Sequence, residues 1–91
     1  MPRYRDDIKP NLPIALQLQL ESLGEAIRHA RKERGLNQRA LADMIGVAPN
    51  TVVAMEQGMP TVQIGSYALA IWHLEVPGVN FGPLDRLLTR V

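Results

Sequence analysis

Few side chains in this 91-residue chain could do chemistry, and they are poorly placed for catalysis. His29 and His73 lie far apart, and neither has a neighbour at metal-binding spacing. There is no Cys, which removes disulfides, thiol nucleophiles and thiolate metal sites. Ser22 and Ser66 carry no nucleophile signature. The Asp6-Asp7 pair falls in a Pro-containing stretch that cannot hold two carboxyl groups rigidly. No glycine-rich phosphate loop is present. These absences argue against an enzyme, and no cofactor or metal is called for. What remains is recognition chemistry. Asn50 can make a bidentate pair with adenine, and Thr51 can reach a base edge or a phosphate. Val53 and Ala54 can meet thymine methyl groups. Asn50 and Thr51 are also good helix-capping residues, so their types alone leave both roles open.

The cations point the same way, but weakly. The formal net charge is only +1. Yet Arg28, Arg31, Lys32, Arg34 and Arg39 fall within twelve residues with Glu33 as the single acid among them. A locally basic stripe can bind phosphates, although a charge cluster taken alone is more often a solvated helix face.

These residues need elements to position them. Residues 1–13 contain three prolines and mixed charges and read as a flexible arm; residues 14–91 read as one small domain. Ile14, Leu16, Leu18 and Leu20 alternate with Ala15, Gln17 and Gln19. Period two predicts a short strand, whose natural partner is the same strand in a second copy. Leu and Gln favour helix instead, in which case part of the stretch begins the first helix. That helix is predicted from about Leu20 or Ser22 to Arg34, with Ser22 and Glu25 as a capping box and Leu23, Ile27 and Ala30 on its core face. Gly35 ends it.

The segment Gly35–Gly58 carries most information. Asn37 suits an N-cap, and a helix runs from there to Ile45, with Leu36, Ala40, Leu41, Met44 and Ile45 as its apolar positions. Gly46 stops it, because the chain must turn left-handed there. Pro49 opens the next helix, which runs to about Gln57 with Val52 and Met55 inward, and Gly58 ends it. Two short helices packed across a tight turn form a helix-turn-helix, spanning about 37–57, whose second helix enters the major groove of DNA. After a loop, a fourth helix is predicted over about Ile64–Leu74, with Ile64, Ala68, Ile71 and Trp72 inward, Tyr67 and Leu69 flanking that stripe and Trp72 closing the bundle. A fifth, residues 84–90, places Leu84, Leu87 and Leu88 on one face. No apolar run reaches membrane-spanning length, and a cytoplasmic protein is expected.

The run Gly35-Leu36-Asn37-Gln38, the Leu41-Ala42 pair, Ile45-Gly46-Val47 and the close Glu56-Gln57-Gly58 resemble the Cro/C1-type (Xre) repressor family of bacteria and phages. The resemblance implies an all-α, five-helix lambda-repressor-like domain that binds double-stranded DNA as a homodimer on a near-palindromic operator. With Val52 and Met55 needed for the core, Ala48, Pro49, Asn50, Thr51, Val53 and Ala54 are left near the groove as candidates for base edges; the resemblance places Gln38 at a backbone phosphate, and Arg39 on the same exposed turn and Arg34 are further phosphate candidates. The resemblance also implies a structural ion pair between Arg31 and Glu56.

The stretch Thr61–Leu74 looks like a narrower group, HipB-like antitoxins that sit beside a HipA-like kinase toxin. Trp72 or the last helix would then be an interaction surface. Ile14, Leu16, Leu18, Leu84, Leu87 and Leu88 are the dimer candidates. Two departures stand out. The reading helix is uncharged before Glu56, with Pro49, Val53 and Ala54 where many relatives carry polar or basic residues, and the loop after it lacks basic residues. A protein-interaction module that mainly restrains a toxin partner, or a phage-type repressor, is therefore the alternative to an autoregulating antitoxin.

Overall fold

The computed structural model describes residues 12–78. Four helices make up its elements: α1 (Ile14–Glu33), α2 (Gln38–Ile45), α3 (Pro49–Glu56) and α4 (Ile64–Leu74). The arm (1–13) up to residue 11 and the predicted helix over 84–90, with Leu84, Leu87 and Leu88, lie outside the described residues.

The first correction concerns Ile14–Leu20, which is helical; the described residues contain no strand. α1 opens straight after Pro13, whose carbonyl accepts from Gln17 N–H at 3.0 Å. Ser22 therefore sits inside the helix and caps nothing. The period-two reading failed because a strand needs an edge to pair with, whereas Leu and Gln close a helix without one. The apparent alternation contains a helical pattern: Leu16 and Leu20 continue, at four- and three-residue steps, the stripe formed by Leu23 and Ile27. Beyond the bundle nothing among the described residues covers that stripe, and residues Ile14 to Gln19 are all exposed.

α2 is built as its caps dictate. The Asn37 side chain accepts from Ala40 N–H at 2.8 Å. Gly46 then turns left-handed at φ 76°, and the amides of Gly46 and Val47 both return to Ala42 O. The turn throws α3 across α2, and together with α1 they close around Ile27, Leu41, Val52 and Met55, all fully buried. Burying four such side chains is worth about 1.5–3 kcal/mol each. Met44 is the exception among the predicted core positions of α2: it is 42% exposed, and Ala42 is buried in its place.

α1 and α3 cross closely. At Gly24, an added Cβ would lie 2.6–2.8 Å from the carbonyl groups of Met55 and Glu56. At Gly58, it would lie 2.6 Å from the backbone of Leu20 and Glu21.

α4 is rotated relative to the prediction. Its inward face is Tyr67, Ala70, Ile71 and Leu74, the i, i+3, i+4, i+7 set, and Val76 follows it into the core. Ile64 is 77% exposed and Trp72 57%, so Trp72 does not close the bundle. The helix is apolar on nearly every side, and its sequence therefore allows several phases; the Tyr67 hydroxyl, which donates to Met59 O at 2.8 Å, favours the observed one.

Candidate nucleic-acid interface

α3 turns one side into the core and leaves its start in solvent. Val52 and Met55 anchor α3 from below. Ala48, Pro49 and Asn50 are exposed at its start, and Thr51, Val53 and Ala54 are half-buried along its outer side. No side chain caps α3, so Asn50 and Thr51 are not engaged as caps. An open groove runs between α3 and the first turn of α4. Ala48, Asn50, Thr51 and Ala54 form one wall, and Thr61, Gln63 and Ser66 the other. Those last three residues are not among the DNA-contact candidates drawn from the sequence. A search for positive charge passes over them, yet all three carry hydrogen-bonding side chains. Nothing caps α4 either, so the amides of Ile64 and Gly65 at its start have no intrahelical partner.

The basic stripe does not survive folding as a stripe. Arg28 pairs with Glu25 at 3.6 Å on the surface of α1. Arg34 reaches Glu75 at 3.0 Å, at the opposite end of α4 from the groove. His29 lies 3.3 Å from Glu33, both well exposed. Arg31 is taken out of solvent altogether, leaving Lys32 and Arg39 as the exposed cations of the five without a carboxylate partner among the described residues.

Arg31 and Glu56 tie the three helices of the site together. Arg31 Nε donates to Glu56 Oε2 at 2.6 Å and Nη2 to Oε1 at 3.1 Å, while Nη1 donates to Leu36 O at 2.8 Å. Both side chains are under 10% exposed. A carboxylate can accept several donors, and Glu56 Oε1 also takes Gln38 Nε2 at 3.0 Å. The first residue of α2 is thus fastened to the last residue of α3, and both to α1. Arg39 follows Gln38 on the exposed first turn of α2.

The helix-turn-helix family matches residues 27–64, from the core face of α1 to the start of α4. The match covers 38 of the 91 residues. The chain is similar to a protein of Sinorhizobium fredii (strain NBRC 101917 / NGR234) named "Uncharacterized HTH-type transcriptional regulator y4mF". The two are 44% identical over 43 residues, which is 47% of this chain and 57% of that relative. The similarity thus spans little more than half the relative's length. No solved structure matches the chain. Helix-turn-helix and transcriptional regulator are descriptions of DNA-binding proteins and not of enzymes.

Proposed function

We propose that this protein is a DNA-binding transcriptional regulator whose α3 reads operator bases in the major groove. The observation that carries this reading is the presentation of α3. Its apolar side is spent on the core, its start is uncapped, and Asn50 stands exposed with its amide unengaged. Asn50 pairs with adenine, Thr51 with a base edge or phosphate, and Val53 and Ala54 with thymine methyl groups. Gln38 and Arg39 hold the backbone at the start of α2, where the helix dipole also favours an anion.

The finer reading is an autoregulating repressor and antitoxin that binds a near-palindromic operator as a homodimer. Two α3 helices about one DNA turn apart would then read two half-sites. Support for self-association comes from the uncharged start of α1, where Ile14, Leu16 and Leu18 are 70%, 43% and 54% exposed. A second apolar surface, Ile64, Leu69 and Trp72 on the outside of α4, supports a protein partner such as a HipA-like kinase toxin.

Fluorescence anisotropy across a salt series tests the proposal, with DNA from upstream of the protein's own gene and a scrambled duplex as control. Tight binding to the upstream DNA that persists at physiological salt is the expected result. Asn50→Ala should cost about 1–3 kcal/mol of discrimination. Arg39→Ala should weaken binding to both duplexes and reduce the salt slope by about one. Equal, weak binding to both DNAs that vanishes as salt rises would overturn the proposal and favour the partner-restraining module.

A further inference from the structure

The two buried charged side chains among the described residues, Arg31 and Glu56, do more than hold helices together. Arg31 is fixed through three separate donors, to both carboxylate oxygens of Glu56 and to the Leu36 carbonyl. The plane of the Glu56 carboxylate is therefore set by α1. That carboxylate has only lone pairs to offer, so it decides which end of the Gln38 amide faces it: Nε2, at 3.0 Å. One amide N–H is consumed and the other has no partner among the described residues. Gln38 is half-buried at the first position of α2, where backbone amides also lack intrahelical partners. The network is closed at its inner end and open at the DNA-facing end of α2.

We propose that Glu56 is a positioning residue for DNA binding: by holding one N–H of Gln38, it presents the other to a backbone phosphate beside the free amides of the first turn of α2. The inference rests on the DNA-binding reading above. Its physical content is preorganisation. A free glutamine loses rotamer freedom at each encounter with a phosphate, whereas one already held by Glu56 has lost it on folding. It also sets Gln38 apart from Arg39. A neutral amide displaces no counterion, so losing it lowers affinity at every salt concentration and leaves the salt slope unchanged.

The test uses the full chain in two stages. Without DNA, the nitrogen–proton NMR spectrum should show the Gln38 side-chain amide displaced from free-glutamine values. Replacing both Arg31→Met and Glu56→Met, a swap of a buried pair for apolar residues that folds commonly tolerate, should return it to those values. A free-glutamine signal in the parent chain would overturn the proposal without any variant.

With the scrambled duplex at low salt, Gln38→Ala should weaken binding about two- to tenfold, with an unchanged salt slope. The double Met variant should lose the same factor, and adding Gln38→Ala to it should cost nothing more. Glu56→Gln keeps an oxygen that can accept from Gln38 and should retain more affinity than the double Met variant. Additive losses in folded protein, or parental affinity in the double Met variant, would overturn the positioning role while leaving the DNA reading intact. Failure of the parent chain to bind either duplex would overturn both.

Discussion

Arg31 and Glu56, twenty-five residues apart, meet in a buried two-point contact that joins the first and third helices. The ion pair is costly to break and inexpensive to replace. Removing one partner, as in Arg31→Ala or Glu56→Ala, strands a charge in the core and should lower stability by about 3–5 kcal/mol. Replacing both by Met should leave stability within about 1–2 kcal/mol of the parent. Urea midpoints of the three variants, measured at one pH, check the contrast.

The close crossing of α1 and α3 gives a second contrast. Gly24→Ala would push a methyl carbon to 2.6 Å from Glu56 O and 2.7 Å from Met55 O. Backbone carbonyls cannot move aside as a side-chain end can, and the helices must separate, at a cost of about 1–3 kcal/mol. Gly65 in the first turn of α4 has open space where its Cβ would stand. Gly65→Ala should therefore stabilise the fold by about 0.4–1 kcal/mol, mainly by restricting the unfolded chain. Thermal melts should move in opposite directions for the two substitutions.

The helix-turn-helix was readable because its signals are local and strict. Asn37 must cap, Gly46 must turn left-handed and Pro49 must open a helix, and each does so in the structure. The start of α1 was not readable in the same way. Seven residues in which Ile or Leu alternates with Ala or Gln satisfy both periods, and only the lack of a pairing edge among the described residues decides between them. The phase of α4 was hidden for a related reason: its apolar residues surround the helix, so burial patterns derived from sequence have several equivalent solutions. Trp72 is read from the sequence as the aromatic that closes the bundle, whereas Tyr67, with a hydroxyl that finds Met59 O, takes the core position. At the candidate site, charge was the misleading signal. Of the clustered cations, Arg28, Arg31 and Arg34 are spent on carboxylates, two of them distant in sequence and invisible to a local reading.

Tyr67 makes stability depend on alkaline pH. Burial pushes its phenol above the ordinary value of 10.0. The folded chain therefore holds that proton more tightly than the unfolded chain does. Its contribution is fully present below pH 10.0 and is lost as pH rises from there through the folded-state value. Tyr67→Phe should cost about 0.5–1.5 kcal/mol at neutral pH through the lost bond to Met59 O. It should also flatten the fall in stability above pH 10.0. Denaturant midpoints for the two proteins at pH 8, 10 and 11 would converge as pH rises; parallel curves would show that Tyr67 is not the titrating group.

The uncovered start of α1 yields the last prediction. Leu16 and Leu20 extend the core stripe past the end of the bundle, and Leu18 and Ile14 are exposed on the other sides of the same two turns. A stretch this apolar and free of charge is a candidate for helix-to-helix pairing between two copies. Because these side chains are exposed, Leu16→Lys with Leu18→Lys should leave the melting temperature of the bundle nearly unchanged. The same double variant should reduce the mass measured by light scattering from dimer to monomer. It should also weaken operator binding far more than binding to a single half-site, since the two reading helices would no longer be linked. An unchanged dimer mass would move the interface elsewhere, and Leu69→Lys with Trp72→Lys on the outer face of α4 is the variant that would then be expected to separate the copies.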